Sequence, residues 1–216
     1  MDLLTLHFAR HALAQQAVTN PVLLPALAAA DAEIAERVSA ATSAGAALDH
    51  GAMAAALCGV ARSGHWHSVE VDFLSKNPTC AACGTSESLN VHHRFDFHEA
   101  ILLGRPDLEL DERNLITLCV GPMQHHVLLG HLDSYLSFNP TVAADIVTYR
   151  GWDEARIRGD AAFRALVVSR APPWEQWSPA LKDSTRALWD ATLPPDPQVL
   201  ARYDLPTPTP ATTWQP

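Results

Sequence analysis

No run of apolar residues in this 216-residue chain approaches the roughly 18 needed to cross a bilayer as a helix, so a membrane span is not expected. A secretory leader is not expected either. Met1-Asp2-Leu3-Leu4 carries an acid where the basic cluster would stand, and His7, Arg10 and His11 soon interrupt the apolar residues, so a cytoplasmic protein is the expectation. Cysteine is scarce, four residues in all, and three of them fall in a ligand-like pattern, which argues for a reducing compartment and a bound metal rather than a disulfide framework. Basic charge is short too. Fifteen Lys and Arg face 24 Asp and Glu for a net of −9, and residues 62–150 alone hold six basic and eleven acidic side chains. Affinity for nucleic acid is largely phosphate neutralisation by Lys and Arg. A broad electrostatic grip on such a polymer is therefore excluded, and binding would have to use a metal ion, a local patch or a partner. No internal repeat is present, and 48% hydrophobic content is ample for one or two domains.

What is present is concentrated. The 52 residues from Cys80 to His131 hold three of the four cysteines and six of the eleven histidines, ordered as Cys80-Ala-Ala-Cys83, His92-His93, Cys119, His125-His126 and His131. A thiolate pair two residues apart, closed by a distant Cys and a His, suits a tetrahedral structural zinc, because sulfur and imidazole satisfy that ion in a closed shell. The remaining imidazoles need another explanation, and the ordering reads as two metal sites on one small scaffold. Cys58, within Ala-Leu-Cys-Gly-Val, reads as a small buried hydrophobe.

Along the chain, residues 1–61 are rich in Ala and Leu with seven charged residues, and three short helices fit them: about Asp2–Val18, Ala26–Ala41 and Asp49–Arg62. Ile34, Val38 and Ala41 share one helical face there, and the region reads as an accessory helical element offering a surface for self-association or a protein partner. His7 and His11 are four apart but have no third ligand nearby. Trp66, Val69 and Phe73 recur at helical spacing, which reads as a helix over about His65–Lys76, while the alternation of Val69, Val71 and Phe73 also fits a strand. Leu89–Arg94 and Asn114–Leu118 read as a strand pair around a long excursion, Phe95–Arg113. A helix after Gly121-Pro122 should carry His125 and His126 as far as Gly130, where glycine stops it. Further helices are expected from Asn139-Pro140 through Tyr149, over Trp152–Ser169, and over Ser178–Leu193 with Leu181 and Leu188 seven apart. The tail from Pro194 has seven prolines in 23 residues, which suits an extended segment or one laid across the domain through Tyr203 and Trp214. Arg150, Arg156, Arg158, Arg164 and Arg170 form a basic stretch, readable as a phosphate patch or as a solvated helix face balanced by Asp153, Glu154 and Asp160.

The run Pro78-Thr79-Cys80-Ala81-Ala82-Cys83-Gly84, then Leu89-Asn90-Val91-His92-His93, Asp111-Glu112-Arg113-Asn114-Leu115-Ile116-Thr117-Leu118-Cys119 and His125-His126 resembles the HNH endonuclease family over about 40% of the chain. The resemblance implies an α+β, mainly helical fold with a central ββα-metal, treble-clef-like core. The expected divisions are an N-terminal helical region at 1–61, this core at 62–150, C-terminal helices at 151–193 and a Pro-rich tail at 194–216.

It implies roles as well. His92 binds a catalytic divalent metal (Mg2+, Mn2+, Ni2+ or Zn2+) and His93 acts as general base, a division that suits a strand because adjacent side chains point to opposite sides. Asn114 matches the asparagine that holds the base-bearing loop. The relatives' second CxxC is incomplete here, so Cys80, Cys83, Cys119 and His125 become the structural zinc ligands and His126 the catalytic one, with a swap of the two histidines open. On an ideal α-helix His131, five residues on, is rotated by roughly 140° from His126, so it reaches the metal only if the helix unwinds near Gly130. The implied function is hydrolysis of nucleic-acid phosphodiesters, DNA ahead of RNA, although no residue pattern separates the two. Three rival readings stand beside it: a non-catalytic treble-clef zinc module binding protein or nucleic acid, a thiol redox protein using Cys80 and Cys83, and an HNH unit restricted to structured DNA or to RNA.

Overall fold

The computed structural model describes residues 21–23, 25, 26, 29, 30, 33, 62–121, 123–134, 137–169 and 177–208. The chain separates into two compact units, Met1–Ala61 and Arg62–Pro216. In the first, a 3-10 turn spans Pro21–Leu23. The expected face of Ile34, Val38 and Ala41, the His7/His11 pair, Cys58 and Trp214 lie outside the described residues.

The second unit is α+β and mainly helical. Helix α1 (Trp66–Lys76) buries Trp66, Val69 and Phe73, the stripe its spacing predicts. Strands β1 (Leu89–His93) and β2 (Leu115–Cys119) form a two-stranded antiparallel sheet in which Leu89 faces Cys119 and His93 faces Leu115. The excursion between them is folded rather than loose: α2 (Phe97–Leu102), α3 (Asp107–Leu110) and a 3-10 turn (Glu112–Asn114) occupy it. Asp96 starts α2 by accepting the amides of His98 and Glu99, at 2.7 and 3.3 Å, a carboxylate placed where the first turn leaves its donors orphaned.

After β2 the chain departs from expectation. The segment His126–Gly130 is a π-helical turn, not an α-helix. Gly130 does not stop it through a left-handed cap; the left-handed residues are Gln124 (φ 51°) before it and Leu132 (φ 47°) and Asp133 (φ 66°) after it.

Helix α4 (Val142–Thr148) follows, and the single helix expected over Trp152–Ser169 is two, α5 (Glu154–Gly159) and α6 (Ala161–Ser169). They break at Asp160, whose extended backbone and carboxylate, accepting the Phe163 amide at 2.8 Å, begin the second. Helix α7 (Pro179–Thr192) starts at Ser178 as expected; it buries Arg186 and Trp189, while Leu188 is exposed. The proline-rich tail contains α8 (Pro197–Arg202), with proline at its first position, where no amide donor is lost.

Three apolar clusters hold the unit together. One surrounds the sulfurs, with Leu118, Leu128, Leu129, Ile146, Ile157 and Phe163; a second joins Trp66, Val69, Phe73, Val91, Leu110 and Leu115; a third joins Phe95, Leu103, Leu108, Trp189 and Leu193. Arg105, fully buried, clamps the last of these. Its guanidinium donates to both oxygens of Asp107 (2.9 and 2.7 Å), to Asp190 (2.7 Å) and to the Leu193 carbonyl (2.7 Å), so α7 is tied to the hairpin excursion through a satisfied buried charge.

Candidate metal centres

The first centre is built by a knuckle, a strand end and the start of the π-turn. At the knuckle Gly84 takes a left-handed backbone (φ 79°), its amide donates to the Cys80 carbonyl at 2.8 Å, and the amides of Ala82 and Cys83 point at the Cys80 sulfur. Cys119 enters from the end of β2 and His125 from just before the π-turn. Bond lengths of about 2.3 Å to sulfur and 2.0–2.1 Å to nitrogen set the edges of a zinc tetrahedron near 3.8 Å for S···S and 3.6 Å for S···N. Here Cys83 and Cys119 Sγ are 3.9 Å apart, and His125 Nδ1 lies 3.4 Å from Cys119 Sγ and 3.7 Å from Cys80 Sγ. The ring is aimed from behind: His125 Nε2 donates to the Trp152 carbonyl at 2.9 Å, which leaves Nδ1 as the lone-pair nitrogen. Cys80, Cys83, Cys119 and His125 therefore form a group that can hold a zinc ion.

Electrostatics point the same way. With no cation among them, three crowded thiols cannot all ionise. Contact with Cys119, then with His125, holds the Cys80 pKa down to about 3, while Cys119 is driven up by that same contact with Cys80 and then by burial. Burial also pushes Cys83 up. Burial opposes the charge on His125, yet contact with Cys80 and the Trp152 carbonyl lift it above its ordinary value. A divalent ion removes this conflict by ionising all three sulfurs.

The second centre is a triangle of imidazoles. His92 from β1, His126 at the start of the π-turn and His131 at its end place ligand atoms within 4.8 Å of one another. The rings stand nearly perpendicular in pairs, 80°, 82° and 87°, with centroids 4.9 to 5.3 Å apart. The π-turn explains why His131 takes part: hydrogen bonding from i to i+5 stacks residues five apart, where an α-helix would turn the second one away.

His131 Nδ1 donates to the Ser137 carbonyl at 2.8 Å, so Nε2 is its lone-pair nitrogen. His92 is packed by Phe138, stacked at 18°, and by Gly130. A Cβ on Gly130 would lie 2.8 Å from His92 Cε1 and Nδ1, so glycine is needed for the approach. His92 Nε2 is buried without a hydrogen-bond partner among the described residues, and burial, then His131 and His126, hold its pKa well below the ordinary range. A neutral imidazole with a desolvated lone pair is a ligand in waiting, and the donor set fits a borderline transition metal.

His93 projects to the opposite face of β1. Its ring packs between Trp66 (centroids 4.7 Å) and Phe97 (5.2 Å), and Nε2 donates to the Glu109 carbonyl at 3.0 Å, which puts the lone pair on Nδ1. Burial, then the charge of Arg62, hold its pKa down to about 3. Asn114, fully buried, accepts the Phe95 amide at 2.8 Å and donates to the Phe95 and Leu108 carbonyls at 2.9 and 2.8 Å. It thus ties the chain two residues beyond His93 to α3. His98 pairs with Asp96 at 3.1 Å and stacks on Phe97.

Several partners escape a reading by residue letters. Trp152 and Ser137 act through carbonyls, which any residue supplies. Arg62 lies over the rings of Trp66 (4.2 Å) and Phe97 (4.0 Å), 3.8 Å from Glu109; its place beside His93 depends on chain reversal, not on spacing. In the Arg150–Arg170 stretch, Arg158 pairs with Glu154 and Asp133, Arg156 covers Trp152, and Arg164 donates to the Gly159 carbonyl; Arg170 lies outside the described residues. Among the described residues no helix is long and apolar enough to cross a membrane. Compared with protein-family models, with curated proteins and with solved structures, the chain matches none of them.

Proposed function

We propose that this protein is a metal-dependent endonuclease of the HNH type, in which β1, β2 and the π-turn make a ββα-metal core braced by a zinc knuckle. The observation that carries the reading is the meeting of His92, His126 and His131 across one sheet edge, one residue away from an imidazole whose tautomer is already fixed. A divalent cation held by the three histidines would supply positive charge to the phosphate oxygens and the departing alkoxide.

The chain's own residues do the rest. His93 presents an unprotonated Nδ1 to a water, with Nε2 anchored on Glu109 so that the ring keeps its aim. Asn114 keeps the turn after His93 closed. Arg62, over the rings of Trp66 and Phe97, brings a cation beside the base in a chain otherwise poor in positive charge. The proposed substrate is a nucleic acid, DNA ahead of RNA, and the nuclease assay uses both.

The rival reading is a non-catalytic zinc module binding protein or nucleic acid, and the acidic net charge favours it. It requires the thiolate group alone and gives no account of three converging histidines. A nuclease assay on plasmid and on RNA with Mg2+, Mn2+, Ni2+ or Zn2+ separates them. Wild type should cleave, and His93→Ala should lose at least about a hundredfold in rate, the typical contribution of a general base, while keeping both metal sites. Equal cleavage by the two proteins rules out His93 as base, and no cleavage by wild type with any metal favours the zinc module.

A further inference from the structure

The three-histidine centre has an unusual exit. Directly after His131 the chain takes two consecutive left-handed residues, Leu132 (φ 47°) and Asp133 (φ 66°), neither of them glycine. L-residues resist this conformation because Cβ crowds the following carbonyl, and strain of this sort persists only where the surroundings enforce it. The enforcement can be traced. Leu132 is buried in the sulfur-side core, and the Asp133 amide donates to the Val127 carbonyl at 2.9 Å, closing the π-turn from beyond its end. Asn139 secures the return, its amide donating to the Gly130 carbonyl at 3.0 Å and its side chain to the Leu129 carbonyl at 2.6 Å. The Asp133 carboxylate is gripped by Arg158 of α5, which is itself braced by Glu154 at 2.9 Å. Helix α5 begins two residues after Trp152, whose carbonyl orients the zinc ligand His125.

We infer that Arg158 is a positioning residue for the second metal centre: by pinning Asp133 it holds the left-handed turn, and through the turn it keeps His131 in the pose that meets His92 and His126. The inference rests on reading those three histidines as a metal site. Without the clamp the turn relaxes toward ordinary backbone, the i to i+5 stacking of His126 and His131 is lost, and a three-nitrogen site falls to two.

The test uses the full chain with its thiolate site filled by zinc, titrated with Co2+ and read by the visible absorption of nitrogen-bound cobalt. Wild type should take up one further equivalent. Arg158→Met should weaken that site by about 10- to 100-fold, the usual cost of losing a group that orients a ligand, with zinc content and melting behaviour retained. Asp133→Gly provides the discriminating arm. Glycine enters the left-handed region without strain, so this variant should keep near-wild-type cobalt affinity although it also lacks the ion pair, should restore affinity when combined with Arg158→Met, and should contrast with a weakened Asp133→Ala.

Unchanged affinity in Arg158→Met, or failure of Asp133→Gly to restore it, overturns the positioning role while leaving the metal site standing. If wild type itself takes up no second equivalent, the metal-site reading falls, and the inference falls with it. Should Arg158→Met fail to fold, the comparison of Asp133→Gly with Asp133→Ala decides the matter alone: equal affinities overturn it.

Discussion

Replacing Gly130 by alanine separates two physical expectations cleanly. Helix propensity taken alone predicts a gain, since glycine inside a helix costs about 0.5–1 kcal/mol relative to alanine. The packing at Gly130 predicts the reverse. The new Cβ would stand 2.8 Å from two atoms of the His92 ring and 3.1 Å from a third. Ordinary contact begins near 3.4 Å, so the ring must retreat by about 0.6 Å. That is roughly three times the ±0.2 Å within which ligand distances are normally held.

Retreat is also obstructed. Phe138 stacks on His92, and His126 and His131 stand edge-on around it. Overpacking of this kind costs about 1–3 kcal/mol, which offsets the propensity gain and leaves the folded state little changed or modestly weaker. Metal affinity should fall much further, by about tenfold or more at the histidine site, with zinc in the thiolate site untouched. Calorimetric titration of the zinc-filled protein with Co2+, beside a thermal melt, reads both quantities. A variant with a higher melting temperature and undiminished second-site affinity would refute the reasoning, because it would mean that the glycine is a passive helix residue.

Two further outcomes follow from the same geometry. Asn114→Ala strips three buried hydrogen bonds and leaves the Phe95 amide and two carbonyls without their partner, so a loss of about 3–4 kcal/mol is expected from roughly 1 kcal/mol or more for each group; urea denaturation that shows less than 1 kcal/mol would contradict the role given to this side chain. Cys80→Ser should release the structural zinc and abolish cooperative unfolding, since binding energy at such a site is folding energy. Zinc quantification on a variant that folds normally and metal-free would remove the first centre from the account.

How much of this was legible in the residues differs between the two centres. The thiolate group is written largely in the chain, because the CxxC pair and a later Cys119 announce a closed sulfur site, whereas His125 enters as the fourth ligand only through the family resemblance, with an exchange for His126 left open until the geometry places it beside Cys80 and Cys119. The histidine triangle is written only in part. His92 and His126 are placed by strand alternation and by the helix after β2, but His131 depends on a π-turn, and a residue five positions on is excluded by the α-helical period that sequence reading assumes. The left-handed pair Leu132-Asp133 carries no glycine to announce it. The excursion between the strands looked like a loop because its helices span only six and four residues, too short for periodicity to register. Burial in α7 follows Arg186 and Trp189 rather than Leu188, and the buried charge of Arg186 is met by Asp190 one turn on and by the Leu103 carbonyl across the fold, a partner that no spacing announces.

The Arg105 clamp bears on how the protein can be handled as a piece of engineering. A cassette cut to residues 62–150 would carry both candidate ligand groups, but it would take Asp190 and the Leu193 carbonyl from this guanidinium and leave it Asp107 alone. It would also discard the Trp152 carbonyl that aims His125. Grafting the chemistry onto another scaffold therefore means transplanting the C-terminal helices along with it, and the smallest portable version of this fold is set by where its charges find their acceptors, not by where its ligands end.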